Sequence, residues 1–122
     1  MQHPQLTEQA ARQFAEKWVD AWNAHDLDRI LWFYSVDVVL LSPLAERLVP
    51  ASEGRISGIA ALGQYVARVL AAFPAPQFQL IDVSPGPGTL VLLYRNQDRK
   101  TVNEFMELND VGKVKRVLAT YS

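Results

Sequence analysis

The chain has 122 residues, enough for one domain, and a domain of this length buries roughly 65% of the surface its unfolded form exposes. Twelve Lys and Arg against thirteen Asp and Glu leave a net charge of -1 with no basic block, which excludes the electrostatic footprint of a nucleic-acid binder. There is no cysteine, so disulfides, thiolate metal sites, iron–sulfur ligation and a cysteine nucleophile are excluded.

Residues 1 to 6 are expected to be a short flexible tail. Met1 to Gln9 carries no basic segment followed by an apolar one, and no apolar run approaches the roughly 18 residues a membrane helix needs. A cytoplasmic location is therefore expected, with no membrane partner. Thr7 is a helix cap, and Glu8 suits the positive end of the helix dipole. Ala11, Phe14, Ala15, Trp18, Val19 and Trp22 recur in steps of three and four, which predicts a helix from Glu8 to Asn23. Asn23-Ala24-His25 breaks it. Asp26 then caps a second short helix with Leu27, Ile30, Leu31 and Tyr34 on its apolar face. The acids here resemble a metal cluster at first sight. Asp26 and Asp28 are two apart, however, and such neighbours do not share a helix face. Capping accounts for both, and a turn accounts for His25 and Asp37, so no metal or other cofactor is expected.

Ser35-Val36-Asp37 reads as a turn, and Val38 to Leu41 as a strand that Ser42-Pro43 ends. Residues 44 to 57 mix Pro, Gly, Ser and charge. They read as one long loop, of the kind that serves as a lid or binding segment. Gly58 opens a third helix, with Ile59, Leu62, Tyr65, Val66, Val69, Leu70 and Phe73 at helical spacing. Pro74 and Pro76 end it.

The remainder reads as a meander of strands: Phe78 to Ser84, Thr89 to Asn96, Arg99 to Leu108 and Lys113 to Tyr121. Pro85-Gly86-Pro87-Gly88, Gln97-Asp98 and Asn109-Asp110-Val111-Gly112 supply the turns. Alternation puts Val102, Glu104, Met106 and Leu108 on one face of their strand, and Val117, Ala119 and Tyr121 on one face of the last strand. Helices first and strands after predict an α+β class, a single domain over 1–122 with helices on one face of the sheet. Glu104 is the leading candidate for a functional group. A carboxyl among apolar neighbours is desolvated and its pKa rises, which suits a general acid or a hydrogen-bond donor. The bland alternative is a solvated or paired carboxylate. His25 lies in a turn and His3 in the tail, so a Ser-His-Asp arrangement is unsupported, and no phosphate-cradling glycine motif occurs.

Several stretches taken together resemble the nuclear transport factor 2-like superfamily, and within it the SnoaL-like and ketosteroid-isomerase-like proteins. They are Trp22-Asn23-Ala24-His25-Asp26-Leu27-Asp28, Phe33-Tyr34-Ser35-Val36-Asp37-Val38, Ser42-Pro43, Ile56-Ser57-Gly58 and Asn109-Asp110-Val111-Gly112-Lys113-Val114. The resemblance implies a strongly curved antiparallel or mixed sheet, wrapped into a cone by three helices of the N-terminal half. It implies a deep apolar cavity and a homodimer through the sheet. An isomerase of this kind has a tyrosine on the first helix, where Trp18 stands here, and an aspartate base before a proline, where Ser42 stands. Its protonated aspartate on a late strand matches Glu104. An indole N–H donates one hydrogen bond but carries no acidic hydroxyl, and an unassisted serine does not shuttle protons near neutral pH.

The expected pocket therefore holds Glu104 as catalytic or anchoring group. Trp18, Tyr34, Ser42, Tyr65, Met106, Val117 and Tyr121 are the expected ligand contacts. The expected ligand is a small apolar molecule, with or without a ring. Two alternatives stand beside binding. One is a cofactor-free isomerase, cyclase, dehydratase or hydrolase with Glu104 as acid–base group. The other is a non-catalytic association domain that uses the outer sheet face.

Overall fold

The computed structural model describes residues 5–74 and 77–122; His3, most of the expected tail and Pro76 lie outside them. Helix α1 runs over Glu8–Asn23. Thr7 Oγ1 accepts from Ala10 N at 3.0 Å, so the expected cap forms. The buried stripe is Ala11, Ala15, Trp18, Val19 and Trp22, the face that helical spacing selects. His25 takes a left-handed φ of 57°. Asp26 Oδ1 then caps α2, Leu27–Leu31, through Arg29 N at 3.2 Å.

Strand β1, Tyr34–Leu41, begins four residues earlier than expected. Tyr34 is thus a strand residue and not part of the α2 face, and Ser35-Val36-Asp37 is not a turn. β1 pairs in parallel with β6, Val114–Tyr121, and its register shifts between Tyr34 and Val39. The turn-forming residues sit in that irregular stretch, where Ser35 Oγ donates to Asp37 Oδ1 at 2.7 Å. A bulge and a turn have the same local composition.

The segment expected as one long loop is mostly structured. Ser42 ends β1 and also caps α3, Pro43–Leu48, by accepting from Leu44 N at 3.1 Å. Pro43 occupies the first helical position, where its missing N–H and fixed φ do no harm. A 3-10 turn, Pro50–Ser52, leads through Glu53 and Gly54 at positive φ into β2, Arg55–Ser57. β2 pairs with β1. Among the described residues there are therefore four α-helices where three were expected. Helix α4, Ile59–Ala72, buries Leu62, Tyr65, Val66 and Val69.

Strands β3 (Gln79–Gly86), β4 (Thr89–Arg95), β5 (Thr101–Leu108) and β6 form the expected meander. The sheet order is β2-β1-β6-β5-β4-β3, mixed because of the β1–β6 pair and not closed. Gln5 pairs with Pro87, and Leu6 packs on the core, so these two residues do not belong to a free tail. In β5 the buried residues are Val102, Glu104, Met106 and Leu108. Glu104 lies opposite Leu92 of β4 and Ala119 of β6, in the middle of the sheet's inner face. Among the described residues no helix is long and apolar enough to cross a membrane.

Candidate functional site

Between the helices and the inner sheet face lie two adjoining cavities. The inner one holds about 40 Å³ and has Glu104, Tyr34, Ser42 and Tyr65 in its wall. The outer one holds about 290 Å³ and opens between α3, α4 and the β4–β5 turn. Leu44, Val69, Phe78, Tyr94 and Tyr121 line both. A ligand entering the outer cavity therefore meets one ring of mostly apolar side chains before it reaches Glu104.

Each wall has a local cause. Glu104 points inward because strand parity puts it with Val102 and Met106. Tyr94 is two residues beyond Leu92, the residue opposite Glu104, so the two side chains meet diagonally across β4 and β5. Tyr94 donates its hydroxyl to Glu104 Oε2 at 2.5 Å. Phe78 is held against α1 by a pair of bonds: Asn23 Nδ2 donates to Phe78 O at 3.0 Å, and Phe78 N donates to Asn23 Oδ1 at 2.8 Å. The residue that ends the first helix thereby fixes a wall of the cavity. Phe78 stacks on Tyr94 with centroids 4.6 Å apart. Ser42 and Tyr65 arrive from the start of α3 and the buried face of α4.

All four tyrosines of the chain line these two cavities. Burial raises every one of their phenols above the ordinary value, and the charge of Glu104 adds to it in each case. They stay protonated and act only through hydrogen bonds. Burial likewise pushes Glu104 from 4.5 up to about 7, with the Tyr94 hydroxyl pulling the other way. A carboxyl with that pKa is present in both protonation states near neutral pH. Among the described residues no group of three or more His, Cys, Asp or Glu side chains converges as a metal site.

Of the expected contacts, Tyr34, Ser42, Tyr65 and Tyr121 lie in the inner wall with Glu104. Trp18, Met106 and Val117 do not. Met106 and Val117 are fully packed core residues; parity sets their face, but they lie beside the cavity and not under it. Trp18 is sealed behind Tyr34 and gives its indole N–H to the Tyr34 hydroxyl at 3.1 Å. Tyr94, Trp22 and Phe78 also stand in the wall and are not among the expected contacts. Tyr94 was accessible by parity, since it shares the inner face of β4 with Leu90 and Leu92. Phe78 was expected to open a strand, but β3 begins at Gln79, so no parity argument places its ring in the wall.

The chain matches the SnoaL-like domain family over residues 15–117 and belongs to that family. It is similar in structure to a SnoaL-like protein of unknown function from Burkholderia thailandensis, with 30% identity and a TM-score of 0.92, covering 98% of this chain and 99% of that one. An NTF2-like protein of unknown function from Cytophaga hutchinsonii is 9% identical, with a TM-score of 0.71 over 92% and 89% of the two chains. TerC, co-crystallised with polyporic acid, is 13% identical with a TM-score of 0.74 over 92% and 91%. The two distant neighbours share the fold. A search of the curated proteins found no match.

Proposed function

We propose that this SnoaL-like domain binds a small, largely apolar, ring-containing molecule in the outer cavity, with its polar end toward Glu104. The observation that carries this is the Glu104–Tyr94 pair at the inner end of a cavity walled by aromatic and aliphatic side chains. Apolar walls with a few convergent polar groups are the usual make-up of small-molecule sites. Tyr34, Ser42, Tyr65 and Tyr121 are the proposed polar contacts beside Glu104. A volume of about 290 Å³ is roughly twice the ~150 Å³ cavity that takes benzene, which favours one or two rings over a fused four-ring skeleton.

A thermal-shift screen against one- and two-ring aromatics, ketones and terpenes tests the reading. A ligand at about 100 times its Kd adds roughly 2.7 kcal/mol. The expected result is a melting-temperature rise of several degrees that Leu44→Trp, which fills the shared ring, abolishes. A rise that survives Leu44→Trp would place binding elsewhere.

Glu104 favours a second, catalytic reading of the same site. With its pKa at about 7 it both gives and takes a proton near neutral pH, the property a cofactor-free isomerase or dehydratase needs. Turnover of a bound ligand that Glu104→Gln abolishes without weakening binding would select catalysis over sequestration.

For a protein partner we propose a second copy of this chain on the outer sheet face. Val91, Phe105, Leu118 and Leu41 are successive cross-strand partners over β4, β5, β6 and β1. Phe105 is 50% exposed in the middle of that row. In sedimentation the wild type is expected to run at twice the chain mass and Phe105→Asp at the chain mass. A wild type at the chain mass at high concentration would remove this partner.

A further inference from the structure

Trp22 carries an unused hydrogen-bond donor. Its indole nitrogen is buried and has no partner, and the residue is only 7% exposed. Trp22 belongs to the wall of the inner cavity together with Glu104 and Tyr34. Its N–H is close enough to the Tyr34 hydroxyl to lower that phenol's pKa, yet it does not reach hydrogen-bond geometry. One turn earlier on α1, Trp18 has already bonded the same hydroxyl. Thus one indole is bonded to the Tyr34 hydroxyl, while the other lies near the same hydroxyl without a geometric hydrogen bond. Unpaired buried donors are few in native proteins because each loses its solvation without compensation.

An indole N–H donates and never accepts, so the group complementary to Trp22 is a hydrogen-bond acceptor. The inner cavity, at about 40 Å³, admits a single small group and no ring, since a ring takes a cavity of ~150 Å³. The ring must then remain in the outer cavity while one polar group projects inward past Tyr94 and Tyr121. A carboxylate there would lie beside Glu104 and repel it. A neutral carbonyl avoids that repulsion and, with two lone pairs, accepts from Trp22 and from a neighbouring hydroxyl together.

We propose that Trp22 is a ligand-binding residue that receives the neutral carbonyl oxygen of a one- or two-ring ketone or aldehyde lodged in the outer cavity. This deepens the small-molecule reading and rests on it. Trp22 grips and orients the acceptor, and no bond is made or broken by it.

The probes are acetophenone and α-methylstyrene, which differ only in C=O against C=CH2. The observable is the indole N–H spectrum of 15N-labelled protein, where the chain's three tryptophans give three signals. Trp22→Phe, which keeps a ring against Phe78, identifies one of them. Acetophenone is expected to move the Trp22 signal downfield and to bind about tenfold tighter than α-methylstyrene, the size of one net hydrogen bond. In Trp22→Phe the two affinities are expected to converge, with α-methylstyrene changed by no more than about twofold.

If both probes bind and compete, but the Trp22 signal moves alike with each and the preference survives Trp22→Phe, the Trp22 assignment is overturned and the pocket reading stands. If neither probe perturbs the protein at millimolar concentration, both are overturned. Should Trp22→Phe not fold, the wild-type signals still decide, because only a bonded N–H separates the two probes.

Discussion

Replacing Glu104 with Gln is expected to stabilise the protein by about 3 kcal/mol at pH 8 and by almost nothing at pH 4. Glu104 titrates at 4.5 when solvated and at about 7 in the fold, so the folded state holds its proton more tightly. Stability from this group is complete below pH 4.5 and declines as the pH rises toward 7, because the unfolded chain sheds the proton first. Above pH 7 the folded protein carries a buried carboxylate. The interval of about 2.5 pH units, at about 1.4 kcal/mol each, makes about 3.5 kcal/mol once titration is complete, and slightly less at pH 8. Gln has nearly the same shape, does not ionise and still offers an oxygen to the Tyr94 hydroxyl. Urea unfolding of both proteins from pH 4 to 8 measures the difference directly, and acid effects elsewhere cancel. A difference that does not change with pH would mean that Glu104 is solvated in the folded state.

Trp18→Ala is expected to lose about 3–5 kcal/mol, or roughly 15 °C in Tm for a domain of this size. Trp18 is fully buried and packs its ring against Trp22, Phe78 and Tyr94 at centroid distances of 5.9, 6.1 and 5.4 Å. Removing it opens a cavity behind the binding chamber and also leaves the Tyr34 hydroxyl without its donor. Trp18→Phe keeps most of the packing and is expected to cost about 1–3 kcal/mol, the penalty of a buried polar group that loses its partner. Thermal unfolding by circular dichroism separates the two. A fall of only a few degrees for Trp18→Ala would show that the chamber wall collapses around the gap and that Trp18 is not its keystone.

The long regular elements were legible because their apolar residues keep time with one period. The stripe from Ala11 to Trp22 predicts α1, the stripe from Leu62 to Val69 predicts α4, and the alternation through Val102, Glu104, Met106 and Leu108 matches the buried face of β5. Short elements were not legible. Ser42-Pro43 ends a strand and begins a helix with the same two residues, and a three-residue edge strand such as β2 is too short to show a period. Ser35 to Asp37 have turn chemistry but occupy an irregular stretch of strand, which depends on where β6 pairs.

The site was legible to the level of a face and no further. Parity gave the inward face of β5, but whether Glu104 or Met106 meets the cavity depends on where the helices stop short of the sheet. Helical spacing gave both Trp18 and Trp22 to the buried side of α1. One turn separates a residue sealed behind Tyr34 from one that stands in the chamber wall, and tertiary packing sets that distinction. The resemblance pointed to Trp18, whereas the free donor belongs to Trp22.

The central claim is that Glu104 is a desolvated carboxyl at the inner end of a ligand chamber. A 13C NMR titration of the glutamate side-chain carboxyls, with Glu104→Gln to identify the signal, tests it most directly. The expected result is a Glu104 midpoint near 7. A midpoint near 4.5 would mean a water-filled, open site around an ordinary carboxylate, and would contradict the account.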